Sequence, residues 1–210
     1  MTRFLIADDH SVVRRGLVQI LSESFSGAVF GEAASAEEIL RKIREQKWNL
    51  LTLDIGLPGR SGLDILHDIR NAYPWLPVLI LSVHPEGQYA RRVLKAGAAG
   101  YLSKDAVPNE LVDAVRKILR GGRYVSPSLA EQLATDVAVD VQKPPHDALS
   151  NRELEVLRMM ASGKTITQIA DALALSPKTV STYRSRILEK MKMTTTAELI
   201  RYAVEKHLID

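Results

Sequence analysis

Residues 50–54 read Leu50-Leu51-Thr52-Leu53-Asp54. The run is apolar on both sides of the pleat and then stops at a carboxylate. A strand buried on both faces needs such a run, whereas a strand facing water on one side alternates. Similar runs occur at Phe4-Leu5-Ile6-Ala7, Ala28-Val29-Phe30-Gly31, Val78-Leu79-Ile80-Leu81 and Gly100-Tyr101-Leu102. Amphipathic stretches near 11–24, 35–47, 62–72, 86–96 and 108–121 separate or follow them. Five strands alternating with five helices predict a doubly wound α/β domain with a parallel sheet. Gly97 and Gly121-Gly122 are predicted helix stops.

The 210-residue chain has no cysteine, is 46% apolar and is 25% charged. That excludes disulfide scaffolds and Cys-ligated zinc, and it is the composition of a folded soluble chain. Its apolar runs are far shorter than the ~18 residues needed to span a bilayer. The opening Met1 to Ala7 meets Asp8-Asp9 too soon for a signal-peptide core. A cytoplasmic location with no membrane partner is expected. The formal net charge of +3 is unevenly spread, because residues 176–192 carry Lys178, Arg184, Arg186, Lys190 and Lys192 against Glu189 alone. A basic helix of this kind suits a polyanion.

Residues 123–147 break the alternation. Ser126-Pro127 predicts a short helix through Ala130, Leu133 and Val137, and Pro144-Pro145 marks a linker. The expected division is 1–122 for the α/β domain, 123–147 for the linker and 148–210 for an all-α domain of four helices. In that last domain Ser150-Asn151-Arg152-Glu153 and Thr165-Ile166-Thr167-Gln168 are capping boxes, and Ser176-Pro177 supplies a cap followed by Pro at the first helical position. A fourth helix from Thr196 to Lys206 is expected to bury Leu199, Tyr202 and Ala203. Short capped helices, with a turn of about two to three residues between the second and third, suit a helix-turn-helix.

Asp8 and Asp9 follow the first strand run and Asp54 follows the third. In strand order 2-1-3-4-5, strands one and three are neighbours, and their carboxyl ends form the ligand crevice at the switch point. Three clustered carboxylates call for a cation, and hard oxygen donors select Mg²⁺. Ser82 and Lys104 end the fourth and fifth strands. A hydroxyl and an ammonium facing such a site hold phosphoryl oxygens, which makes Asp54 the candidate nucleophile towards phosphorus.

These residues carry a resemblance. Ile6-Ala7-Asp8-Asp9-His10, Leu53-Asp54-Ile55-Gly56-Leu57-Pro58-Gly59 with Ser61-Gly62, Leu81-Ser82, and Ala96 through Lys104 resemble the flavodoxin-like receiver domain of two-component response regulators. The resemblance implies Asp54 as phospho-acceptor. It implies Asp9 as direct Mg²⁺ ligand, Asp8 acting largely through water, and the Gly56 carbonyl as a further ligand. Ser82 and Lys104 would hold the phosphoryl group, and Tyr101 would be the rotating aromatic of the switch. Leu57 stands where the family often has Met, and Asp105 where many receivers have Pro.

Residues 149–208 resemble the NarL/LuxR/FixJ helix-turn-helix, through Leu149 to Leu157, Ala161 to Lys164, Gln168-Ile169-Ala170, Leu173, Leu175 to Val180 and Arg186 to Met191. The string Thr179-Val180-Ser181-Thr182-Tyr183-Arg184 is similar to the GacA/EvgA-like subgroup. Helical phase separately puts Val180, Ile187 and Met191 on a core face and Lys178, Thr182, Ser185 and Glu189 opposite, flanked by Ser181 and Arg186. Lys178, Thr179, Ser181, Thr182, Tyr183, Ser185 and Arg186 are the candidate DNA contacts. The family often has Lys at Ser181 and His at Tyr183, so its base contacts do not transfer to those two positions.

The expectation is a non-enzymatic regulator. A sensor histidine kinase phosphorylates it on Asp54 with Mg²⁺, and it then binds double-stranded promoter DNA as a homodimer, with RNA polymerase as a further partner. Two rivals use the same residues. One is a Mg²⁺-dependent aspartyl phosphohydrolase, which would need a substrate pocket the chain does not supply. The other is a phosphorylation-independent DNA-binding regulator whose first domain only dimerises.

Overall fold

The computed structural model describes residues 1–57, 62–83, 86–131, 144–206 and 208–209. The chain divides into two units, Met1–Val139 and Asp140–Asp210.

In the first unit, β1 (Arg3–Ala7), β2 (Val29–Ala33), β3 (Leu50–Asp54), β4 (Val78–Ser82) and β5 (Gly100–Ser103) form one parallel sheet of order β2-β1-β3-β4-β5. The expected topology is therefore present. Alternate strand residues feed two separate cores, as the two-residue pleat period requires. Phe4, Ile6, Leu50, Leu79, Leu81 and Leu102 pack with α1 (Ser11–Ser24) and α5 (Val107–Leu119). Leu5, Ala7, Leu51, Leu53, Val78, Ile80 and Tyr101 pack with α2 (Ala36–Glu45), α3 (Gly62–Ala72) and α4 (Glu86–Lys95).

Two details depart from expectation. β2 runs two residues later than its apolar run, because pairing of Ile6 with Glu32 and Ala7 with Ala33 extends the ladder past Gly31. Gly31 itself lies under the Trp48 ring, where any Cβ would collide. The segment after α5 is also more than a linker. Tyr124 N–H donates to the Ala99 carbonyl at 2.9 Å, and Tyr124 bridges Gly100 in parallel sense beside β5. A short helix, α6 (127–131), follows, with Ser126 Oγ accepting from Leu129 N–H at 3.2 Å. Leu129 is 1% exposed and belongs to the same apolar cluster as Tyr101. Leu133 and Val137 lie outside the described residues, as do Pro58, Gly59 and Ser61.

The second unit contains α7 (Asn151–Ala161), α8 (Ile166–Ala172), α9 (Pro177–Met191) and α10 (Thr196–Glu205) around one apolar cluster. Both expected capping boxes are formed, and Thr195 with Glu198 makes a third that starts α10. The turn between α8 and α9 is longer than expected. Residues 173–176 are needed because Leu173 is buried and Leu175 packs against the cluster before Ser176 can cap α9. Ala174 completes this turn in the left-handed region at φ 52°. Tyr202 is only partly buried, because its hydroxyl meets His146 Nδ1 at 2.8 Å instead of entering the core.

Candidate functional site: a carboxylate cluster and an exposed helix

Four strand ends bring the first site together. Asp8 follows β1 directly, and its side chain is 1% exposed. Asp54 closes β3 opposite Leu81, Ser82 closes β4 opposite Ser103, and Lys104 follows β5. Asp54 and Ser82 are buried, whereas the Asp9 side chain is one-third exposed. One donor atom each from Asp8, Asp9, His10 and Asp54 lies within 4.8 Å of the others.

Lys104 Nζ lies 2.8 Å from Asp54 Oδ2, with hydrogen-bond geometry, and 2.7 Å from Asp8 Oδ2 as an ion pair. Burial pulls the ammonium's pKa down, but the hydrogen bonds and charges of Asp54 and Asp8 outweigh it and hold it above the ordinary lysine value. Lys104 is therefore fully charged at neutral pH. Asp54 Oδ1 accepts from Gly56 N–H at 3.1 Å, which fixes the carboxylate's second oxygen. Gly62 is required by close approach: a Cβ there would lie 2.5 Å from the Asp54 carbonyl oxygen and 2.7 Å from Ile55 Cα. Tyr101 is fully buried, paired in register with Ile80.

Sequence reading gave no role to two groups at this site. Arg14 Nη1 donates to the Asp8 carbonyl at 2.8 Å and the Asp9 carbonyl at 3.3 Å, while its Nε donates to Glu32 at 2.9 Å. The guanidinium ties the loop after β1 to β2. Its only sequence signal was its place one helical turn beyond His10. His10 Nδ1 sits 2.8 Å from Asp9 Oδ1.

The donor set suits a hard divalent cation. Asp8, Asp9 and Asp54 supply carboxylate oxygens, and exposure of Asp9 leaves room for the waters that Mg²⁺ retains.

The second site is the outer face of α9. Ser176 caps it by accepting from Thr179 N–H at 3.1 Å, and Pro177 occupies the first turn, where its missing N–H costs nothing. Val180, Ile187 and Met191 are buried, as helical phase predicts. Lys178, Thr182, Ser185 and Arg186 are exposed; Thr179 and Ser181 are half-buried. Tyr183 is half-buried against the domain core, so its ring is anchored at the edge of the face. Three hydroxyls are already engaged. Thr179 Oγ1 pairs with Ser176 Oγ at 2.8 Å, Thr182 Oγ1 donates to the Lys178 carbonyl at 3.0 Å, and Ser185 Oγ donates to the Ser181 carbonyl at 3.2 Å. Thr182 and Ser185 therefore offer outward lone pairs more readily than donors, a bias that residue type alone does not reveal.

An ion pair joins α9 to the start of α7. Lys190 Nζ lies 2.7 Å from Glu153 Oε2, the same oxygen that accepts from Ser150 N–H at 2.6 Å in the cap of α7. Arg152 bonds Glu155 at 2.8 Å and the Leu173 carbonyl at 2.9 Å, holding α7 to the end of α8.

A five-stranded 2-1-3-4-5 sheet with carboxylates, a hydroxyl and a lysine at its carboxyl ends defines a receiver-type regulatory domain, here followed by a helix-turn-helix. Residues 4–116 match the response regulator receiver domain, and residues 147–203 match the bacterial regulatory proteins of the luxR family. The chain belongs to the response regulators that carry a LuxR-type DNA-binding domain; these are transcription regulators, not enzymes. It is 40% identical over 210 residues to the response regulator GacA of Pseudomonas protegens, spanning 100% of this chain and 99% of that protein. It is 34% identical over 209 residues to the response regulator UvrY of Escherichia coli, spanning 99% and 96%. Among solved structures, that of the two-component response regulator RcsB–DNA complex is similar at a TM-score of 0.60 and 25% identity, covering 97% of this chain and 98% of that one. Among the described residues no helix is long and apolar enough to cross a membrane.

Proposed function

We propose that the protein is switched by phosphorylation of Asp54 and, in its phosphorylated form, binds promoter DNA through α9. The observation that carries this reading is the placement of Lys104 Nζ between Asp54 and Asp8, at 2.8 and 2.7 Å, beside the Asp9 carboxylate. A sensor histidine kinase or a small phosphodonor supplies the phosphoryl group. An Asp54 oxygen attacks phosphorus, a new P–O bond forms, and the bond to the donor's nitrogen or oxygen breaks with the electron pair leaving on the donor. Asp9, Asp54, Asp8 and the Gly56 carbonyl would hold Mg²⁺, which neutralises charge on the transferring group when bound.

Lys104 then exchanges its contact with Asp54 for a phosphoryl oxygen, and the Ser82 hydroxyl donates to another. The added charge is close to two negative units, enough to redirect both side chains. Displacement of Ser82 alters the packing around Tyr101 on the face formed by α4 and β5. That biases a two-state domain towards dimerisation or release of the DNA helix. A dimer would place two copies of α9 about 34 Å apart, one helical turn of DNA. Lys178 and Arg186 meet phosphates or guanine edges, Ser181, Thr182 and Ser185 meet bases or bridging waters, and Thr179 and Tyr183 frame the contact. The working division is 1–122 for the switch, 123–147 for the connection and 148–210 for the DNA reader, in the cytoplasm.

The test has two readouts on wild type and Asp54→Asn. Acetyl phosphate should label wild type only when Mg²⁺ is present and should not label the variant. Phosphorylation should tighten salt-dependent binding to promoter DNA. Labelling that persists in Asp54→Asn would overturn the acceptor assignment. DNA binding equal before and after phosphorylation would instead favour a passive first domain.

A further inference from the structure

A cavity opens at the amino ends of the strands, the side of the sheet away from the reacting carboxylates. It offers about 400 Å³, within the range of pockets that hold small ligands. Asn49 lines it just before β3, whereas Asp54 closes the same strand, so about 16 Å of extended chain separates the two sites. Arg70 in the last turn of α3, Trp75 in the connection to β4 and Arg123 beyond α5 supply the rest of its chemistry.

The groups left unspent in this cavity are donors. Arg70 Nη1 donates to the Pro74 carbonyl at 2.8 Å and the Leu76 carbonyl at 3.2 Å, which leaves Nη2 for a ligand. Gly97, at φ 94°, makes room for the guanidinium, since a Cβ there would lie 3.1 Å from its Nε. Asn49 Oδ1 accepts from Arg3 N–H at 2.8 Å, so the amide's own N–H groups remain. Arg123 is exposed and has no carboxylate partner among the described residues. No Asp or Glu among them lines the cavity. The Ile118 carbonyl at the end of α5 is taken by Gly121 N–H at 2.9 Å. The last turns of α2, α3, α4 and α5 all carry Lys or Arg and end on this side of the sheet, because crossover helices run opposite to the strands they join. Such a field draws anions towards the cavity.

Trp75 adds a flat apolar face. It is 48% exposed, and Tyr73 meets it edge-on with ring centroids 6.2 Å apart. The wall beyond α5 is pinned to the sheet, because Tyr124 N–H, next to Arg123, donates to the Ala99 carbonyl at 2.9 Å. We propose that this cavity binds a nucleotide, with the base against Trp75 and the phosphate held by Arg70 and Arg123. A bare phosphate would use the arginines and leave the indole wet. An uncharged ring would use the indole and leave the donors unpaired. A nucleotide satisfies both, and its base edge supplies acceptors for the Asn49 amide. Neither the chemistry at Asp54 nor the face of α9 takes part, so this site stands apart from the function proposed above.

The experiment titrates AMP and GMP, without Mg²⁺, into the full chain as wild type, Trp75→Leu, Arg123→Ala and Arg186→Ala, with calorimetry as the readout. Trp75 and Arg123 are exposed, so both cavity variants should keep the fold, as checked by unchanged helix content and melting temperature. Wild type should bind saturably, and each cavity variant should weaken that binding roughly tenfold or more through loss of stacking or of a phosphate contact. Adenosine should bind wild type more weakly than AMP by a similar factor. Arg186→Ala should bind as wild type does. Loss of binding in Arg186→Ala with retention in Arg123→Ala would move the anion to α9 and overturn the proposal. Equal affinity of wild type and both cavity variants would overturn it as well. So would adenosine binding as tightly as AMP, or wild type showing no saturable binding up to about 1 mM nucleotide.

Discussion

Replacing Lys190 with methionine removes the charged partner of a nearly buried carboxylate. The Glu153 side chain is 3% exposed, and Lys190 Nζ lies 2.7 Å from its Oε2. Breaking a fully buried ion pair from one side costs about 3–5 kcal/mol. Here the Lys190 side chain is 40% exposed, and the Ser150 N–H still donates to the carboxylate at 2.6 Å. Screening and the remaining donor reduce the cost to about 1–2 kcal/mol, the lower range for a charge-assisted hydrogen bond. In a domain of this size 1 kcal/mol shifts Tm by about 4–8 °C, so the second domain should melt roughly 4–16 °C earlier. The assay is built into the sequence, because both tryptophans, Trp48 and Trp75, lie in the first unit. Tryptophan fluorescence then follows the first unit alone, and far-ultraviolet circular dichroism follows both. In Lys190→Met the dichroism should show an earlier loss of helix while the fluorescence transition stays in place. Burial alone would raise the Glu153 carboxyl's pKa, but Lys190 and the Ser150 donors outweigh it and hold it below the ordinary value. A carboxyl lowered in the folded state contributes stability above its unfolded value, near pH 4.3, and loses it as pH falls through the folded value. The gap between wild type and variant should therefore be full at pH 7 and shrink in acid below about pH 4. A gap that widens in acid, or a fluorescence transition that moves with the dichroism, would refute the ion-pair account.

Gly62→Ala should destabilise the first unit by about 1–3 kcal/mol and slow phosphoryl uptake, since its Cβ would press on the Asp54 carbonyl. Normal labelling with acetyl phosphate would contradict the close approach. Leu129→Ala should cost about 2–4 kcal/mol in a fluorescence-detected urea titration, although the residue lies beyond α5, because Leu129 is 1% exposed in the receiver core. Arg186→Ala should leave both melting transitions in place and weaken DNA binding. If its role is phosphate neutralisation, the salt dependence falls by about 0.9 in slope.

The sheet was legible because its strands are covered on both faces, so apolar runs without alternation marked them. Strand ends were less so: Glu32 belongs to β2 through its pairing with Ile6, a tertiary fact absent from the local pattern. Asp54, Asp8, Ser82 and Lys104 could be placed because topology sends all their strand ends to one side. The double contact of Lys104 and the clamp of Arg14 depend on rotamers and needed coordinates. In the second unit the caps were read from Ser, Thr, Glu and Gln at fixed spacing, and three boxes formed, including one at Thr195 that carries the same signature. Pairing of Glu153 with Lys190 across 37 positions had no local signal. The segment after Gly122 was read as a linker with a short helix, and the helix at 127–131 is present, but its packing was not legible for a related reason. Its Pro and Ser content speaks for a connection, yet Tyr124 and Leu129 are held by strand and core partners distant in sequence.

The bridge between Tyr124 and Gly100 bears on solubility. β5 ends the sheet, and an end strand offers unpaired amides and carbonyls to any extended chain that meets it, which is how sheets recruit one another into aggregates. Tyr124 N–H occupies the Ala99 carbonyl, and its own carbonyl lies where a Gly100 Cβ would point, so the beginning of that edge is already taken by the chain's continuation. The same residue anchors its hydroxyl on Glu110 of α5 and lies under the Lys117 ammonium, which keeps the cover in place. In self-association terms the first domain thus ends past the point where its last large helix does. The stretch joining it to the DNA reader also guards an open margin of the sheet.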